Sequence, residues 1–184
     1  LYQKFDAITI ICKSRTAADE LASDLSFFIH NASLLDFSPW DTLPFEPVSP
    51  QTDISAARLH ALWHMATQRS WICVTSIEAV AQRVLPLDRL RNLAFELHLG
   101  QEIDREQLLI SFDACGFQRV SLVEDVGELA VRGAVVDFFP STTTAPVRIE
   151  FLGDRIEHIK LFDADSQRSE SELQSVQCLP VREY

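Results

Sequence analysis

Two arginines, Arg132 and Arg148, are the residues of this 184-residue chain whose type and setting best suit chemistry on another molecule. Each sits in a β-rich run crowded with carboxylates, which gives it two possible uses. One is a structural pairing with Glu128, Glu150 or Glu157, worth little at a surface. The other is planar, bidentate recognition of a partner's acidic group, the use that enriches arginine at interaction hot spots. Residue type alone favours the structural use. No catalytic constellation competes with the pair. All five glycines lie at or beyond position 100, and the lysines are Lys4, Lys13 and Lys160. A nucleotide's phosphates need backbone amides brought close by glycine, plus a lysine, so a G-x-x-x-x-G-K-[ST] loop is excluded from the first half. The chain is expected to hold no cofactor and no catalytic residue.

Other groupings read as structure. Ser14, Ser76 and Ser166 lack a G-x-S-x-G context. Asp163, Asp165 and Ser166 lack the glycine and terminal glutamate of a calcium loop and read as a sharp turn. Asp53, near His60 and His64, reads as a helix cap rather than part of an acid–base set. Cys12, Cys73, Cys115 and Cys178 are dispersed among apolar neighbours without C-x-x-C spacing. They fit reduced core thiols of a cytoplasmic protein, and neither they nor the five histidines suggest a metal site. Trp40 and Trp71 have no interleaved cations and read as packing anchors, not base-stacking platforms.

The elements that must position the arginines form a strand meander from Gly127 to Asp163. Val135, Val136, Phe138 and Phe139 make a β-rich run that Pro140 ends, since proline cannot donate to a ladder. Val147, Ile149 and Phe151 alternate with Arg148, Glu150 and Leu152. Gly153-Asp154 turns the chain, and Ile156, Ile159 and Leu161 continue it. The Arg132-Gly133 pair is expected to be buried in this meander. Upstream, Ala94–Leu99 reads as a strand and Asp104–Cys115 as an amphipathic helix stopped by Gly116.

The first half alternates strands and helices, implying a parallel sheet with right-handed crossovers. Ala7–Cys12 reads as a strand buried on both faces. Ser14 caps a helix through Phe28, and Leu34–Phe37 is a second strand. Prolines 39, 44, 47 and 50 keep Ser38–Thr52 a loop. Asp53 is expected to cap the next helix, Trp71–Val74 to be a third strand, and Ser76 to cap a helix through Val84. A boundary falls at 92/93. The expected architecture is α/β: a parallel-sheet domain over 1–92 and a separate α+β domain with an antiparallel meander over 93–175, after which Gln177–Val181 again reads as strand.

Charge supports a division of labour. Residues 1–92 carry 8 Lys/Arg against 10 Asp/Glu, whereas residues 93–175 carry 7 against 16, net −9. Such a surface repels phosphate backbones and suits a basic protein partner or plain solvation. The apolar runs are shorter than the ~18–20 residues of a membrane span, and with no cationic n-region ahead of an apolar h-region no secretory signal is expected. The chain starts without Met and stops after an apolar run, as if cut from a longer protein.

The run Val131-Arg132-Gly133-Ala134-Val135-Val136-Asp137-Phe138-Phe139-Pro140, then Arg148-Ile149-Glu150-Phe151 and Leu161–Arg168, resembles a module shared by two bacterial families. These are the excision-repair helicase UvrB and the transcription-repair coupling factors (Mfd). Trp40–Glu46, Ser49-Pro50, and Asp53-Ile54 through Arg58-Leu59 resemble the coupling factors rather than UvrB. The resemblance covers nearly the whole chain. It implies a helicase-lobe-like, degenerate P-loop NTPase domain without Walker A over 1–92, into which a UvrA-binding domain is inserted over 93–175, with 176–184 returning to the first domain. It further implies that Arg132, with Gly133, and Arg148 lie on the face that binds UvrA. The coupling factors can carry an aromatic where this chain has Leu152, with Phe151 adjacent as a partial substitute. In the full-length coupling factor, ATP and Mg drive a DNA translocase. RNA polymerase and DNA bind through domains absent here, and the carboxy-terminal part masks the UvrA face until the motor engages. The alternative is the amino-terminal part of UvrB, which a Walker A upstream and an aromatic-rich damage-probing hairpin would mark.

Overall fold

The computed structural model describes residues 6–29, 34–42 and 49–183. The chain divides into two compact units, Leu1–Leu87 and Asp88–Tyr184, each described by itself. Leu43-Pro44-Phe45-Glu46 and the middle of the proline-rich loop lie outside the described residues.

In the first unit, β1 (Ala7–Cys12), β2 (Leu34–Phe37) and β3 (Trp71–Ser76) form a parallel sheet in the order β1-β3-β2. Helices α1 (Arg15–Phe28) and α2 (Thr52–Thr67) lie between the strands in the chain, and α3 (Ile77–Ala81) follows β3. Crossover segments of this length are what parallel neighbours require. The central position falls to β3, where Ile72, Cys73, Val74 and Thr75 are all at most 3% exposed. β1 is at the edge of the described sheet, and its residues alternate between exposed and half-buried, with Ile11 54% exposed. The two-faced burial expected of AITIIC therefore belongs to β3: an edge strand lacks a second neighbour to cover it.

Local capping follows side-chain chemistry. Ser14 Oγ accepts from the Ala17 amide at 3.3 Å and Ser76 Oγ from the Ala79 amide at 3.3 Å. Asp53 does not cap α2. Gln51 holds that position, and Asp53 lies in the first turn, where its Oδ1 accepts from the Ile54 amide at 2.8 Å and its charge suits the helix dipole. Arg58 on α2 is wholly buried. Its Nη1 donates to the Ser38 carbonyl at 2.7 Å, and its guanidinium lies 4.3 Å above Phe37 and 5.3 Å from the Trp40 ring.

The second unit begins at Asp88, within α4 (Leu87–Leu93), and continues with β4 (Phe95–His98) and α5 (Arg105–Ala114). Six strands follow: β5 (Gln118–Arg119), β6 (Glu128–Arg132), β7 (Val135–Phe138), β8 (Val147–Leu152), β9 (Arg155–Phe162) and β10 (Ser169–Glu172). They pair in that order, antiparallel except for the parallel β5–β6 step. The last strand, β11 (Ser175–Cys178), pairs antiparallel with β4. Alternation decides which side of the meander is core. Along β8, Val147, Ile149 and Phe151 are 0, 0 and 7% exposed, whereas Arg148, Glu150 and Leu152 point the other way. On the core side Phe112 of α5 meets Phe138, Phe117 and Phe95 with ring centroids 4.7, 5.0 and 5.4 Å apart. Burying each such ring contributes roughly 1.5–3 kcal/mol. Asp104 caps α5 by accepting from the Gln107 amide, and Gly116, at φ +85°, ends it.

The fold is mixed α/β, with parallel and antiparallel sheets. Among the described residues, no helix is long and apolar enough to cross a membrane.

Candidate functional site: two arginines on one buried aspartate

The strand register places four residues side by side on the face of the meander away from Phe112, where Val123, Ala130 and Phe162 form a second small apolar cluster: Ala130, Asp137, Arg148 and Lys160. The next row on the same face holds Arg132, Val135, Glu150 and His158. Asp137 lies in the middle, 1% exposed, as the single acid inside an apolar run. A carboxylate in that setting stays charged only if donors surround it. Arg148 supplies two, Nε to Oδ1 at 2.7 Å and Nη2 to Oδ2 at 2.9 Å, the fork geometry that arginine offers a carboxylate. Arg132 Nη2 donates to the same Oδ2.

The two arginines are not equivalent. The Arg148 side chain is 17% exposed, lies 4.7 Å over the Phe162 ring, and donates from Nη1 to the Gln167 carbonyl at 3.2 Å. Its pKa is raised above the usual value, chiefly by the hydrogen bonds to Asp137, against a smaller opposing effect of burial. The Gln167 carbonyl is presented by a tight turn in which Asp163 Oδ1 accepts from the Ser166 amide at 2.7 Å. The Ser166 hydroxyl first, and then its amide, hold the Asp163 pKa below its usual value. The Arg132 side chain is 49% exposed. Arg148 is a strut, and Arg132 is the guanidinium that reaches solvent.

Charge balance on this face singles out the same spot. Lys160 pairs with Glu150 at 3.0 Å, and His158 Nδ1 lies 2.6 Å from Glu172. Glu128 is occupied by the amides of Glu124 and Asp125 and Glu157 pairs with Arg155, so neither is the arginines' partner; Glu150 pairs with Lys160 and adds only a lesser charge attraction to Arg148. Two guanidiniums share one carboxylate, which leaves a local positive excess on a net-acidic unit. The arrangement can accept a further carboxylate, with Arg132 as the accessible donor.

The remaining residues expected at the site separate. Arg132-Gly133 is not buried: Gly133 is exposed and begins a two-residue turn at φ +59°, a backbone state that L side chains rarely adopt. Leu152 is 70% exposed at the end of β8, and the Phe151 amide donates to the Ala134 carbonyl at 2.9 Å, which brings that end beside the turn. Phe151 itself faces the core. It cannot supplement Leu152 at the surface, because strand alternation sends neighbours to opposite faces.

Residues 95–184 match the UvrB interaction domain family. Over 183 residues, 96% of this chain, the sequence is 38% identical to a transcription-repair-coupling factor of Myxococcus xanthus, of which it covers 15%. Over 177 residues, again 96% of the chain, it is 31% identical to that of Escherichia coli (strain K12), also covering 15%. A third, from Haemophilus influenzae, is 34% identical over 148 residues, 80% of the chain. Over nearly its whole length the chain is homologous to transcription-repair-coupling factors.

The chain spans 15% of the length of the first relatives it matches. Asp137 is the site residue that residue-type reasoning passes over; its signal is a lone acid where the pattern calls for an apolar side chain. Elsewhere in the segment, burial pushes the thiols up, Cys73 to about 11 and Cys115 to about 12, so they are poor nucleophiles. The described residues contain no group of three His, Cys, Asp or Glu able to hold a metal.

Proposed function

We propose that this chain is the module through which a transcription-repair coupling factor binds UvrA, recruiting it to RNA polymerase stalled at DNA damage in transcription-coupled nucleotide-excision repair. The observation that carries this reading is Arg132, held half-exposed on buried Asp137 beside Arg148, within the stretch that matches the UvrB interaction domain. The geometry favours a partner carboxylate against Arg132 and an apolar partner side chain against Leu152, next to the Gly133 turn. Residues 1–92 would then be a degenerate helicase-lobe domain without ATPase function, 93–175 the inserted UvrA-binding domain, and 176–184 the return to the first domain. ATP and Mg, RNA polymerase and DNA would be handled by parts of the longer protein, whose carboxy-terminal region would mask the arginine face.

Titration of UvrA into the 184-residue chain by calorimetry tests the reading. Losing an interface arginine that meets a partner carboxylate costs about 2–5 kcal/mol, so Arg132→Ala weakens binding at least ~10-fold. Arg69→Ala, in the first unit, binds like the parent. A folded Arg132→Ala that binds UvrA at the parent level overturns the assignment.

A further inference from the structure

The rim of the arginine face is tied to the start of α5. Backbone bonds stitch residues 100–103 onto the β8–β9 hairpin end: Ile103 N to Asp154 O at 2.9 Å, Ile156 N to Gln101 O at 2.9 Å, and Gly100 N to Ile156 O at 2.8 Å. Glu102 also bridges to Arg155. This fixes where α5 begins, and Asp104 caps it. The first helical residue, Arg105, reaches the other hairpin end, where its Nη1 donates to the Gly133 carbonyl at 2.6 Å. Both turns and Arg105 line one open cleft of about 430 Å³ with Asp104, Glu106, Ala134, Gly153 and Asp154.

An arginine in the first turn sets a positive charge against the positive end of the helix dipole. Helix formation alone therefore does not account for Arg105, and a residue that breaks a local rule points to a use elsewhere. The contact made is with the carbonyl immediately after Arg132. Gly133 has no atom within 4 Å of where a Cβ would stand, so side-chain packing does not hold this turn. Its restraints are the Arg132–Val135 strand pair, the Phe151 amide on Ala134, and Arg105.

We infer that Arg105 is a positioning residue for Arg132: from the first turn of α5 it holds the Gly133 carbonyl and so fixes the direction in which Arg132 leaves the sheet. The inference rests on the UvrA-binding reading and adds a residue on a different element. Holding a donor in its bound geometry spares ordering cost on association.

A double-mutant cycle in UvrA binding tests it, with thermal denaturation of each variant alongside. Arg105→Ala weakens binding about fivefold in the parent and less than about twofold once Arg132 is alanine, because the clamp then has nothing to aim. Arg105→Lys, which keeps a donor, recovers part of the loss and serves if the alanine variant fails to fold. Parent-level binding by Arg105→Ala while Arg132→Ala is impaired overturns the inference alone. Equal losses in both backgrounds overturn it as well, since Arg105 would then touch UvrA directly. An unimpaired Arg132→Ala removes the underlying reading instead.

Discussion

Replacing Asp137 by alanine strips the acceptor from two guanidiniums at once, and the unequal exposure of those guanidiniums sets the expected cost. Breaking a buried ion pair by deleting one partner typically costs about 3–5 kcal/mol, because the surviving charge stays buried without compensation. Arg148, 17% exposed and packed over Phe162, comes close to that situation. Arg132, 49% exposed, regains water and adds little. The sum is about 3 kcal/mol lost for Asp137→Ala. Asp137→Asn keeps one oxygen and the shape, and is expected to lose about half as much. Adding Arg148→Met to Asp137→Ala recovers part of the loss, since removing both members of a buried pair is far less costly than removing one. Urea unfolding followed by circular dichroism measures all three, with the free energy read by linear extrapolation. An Asp137→Ala variant within ~0.5 kcal/mol of the parent would refute the reasoning. It would mean that the arginines are held by other contacts and that Asp137 is incidental.

Two further outcomes follow from neighbouring side chains and from the first unit. Phe151→Ala loses about 3 kcal/mol of stability as a core truncation, whereas Leu152→Ala leaves stability within ~0.5 kcal/mol and weakens UvrA binding several-fold; urea unfolding and calorimetry separate the two effects. His60 and His64 on α2 both have pKa values lowered from 6.5, His60 by burial and then by the charge of His64, His64 by burial. An unfolded histidine therefore takes up a proton before the folded one does, so this contribution is present above about pH 6.5 and is lost as pH falls from there through the lowered pKa of the folded histidines. Melting temperature is expected to drop between pH 7.5 and 5.5, and His60→Gln/His64→Gln is expected to flatten that slope; a slope unchanged in the double variant assigns the titration to other groups.

The sequence by itself determined β1 to β3, the helices α1, α2 and α5, the outline of the meander and the caps at Ser14 and Ser76, because these rest on interactions within a few residues or on a period of two or 3.6. It also determined which residues of β8 face outward, since Val147-Arg148-Ile149-Glu150-Phe151-Leu152 alternates cleanly. The same alternation, followed strictly, already placed Phe151 inside. Residue type identified Arg132 and Arg148 as the residues to examine. Only the tertiary structure decided what they do, because Asp137 meets Arg148 through a strand pairing whose register no local pattern encodes. It also decided that β3 rather than β1 is the central strand, that Arg58 is buried beneath Phe37 and Trp40, and that Arg105 reaches a carbonyl 28 positions away. Those contacts join residues far apart in the chain. Their partners are chosen by which surfaces pack once the strands are in register, and a sequence read along its length does not carry that information.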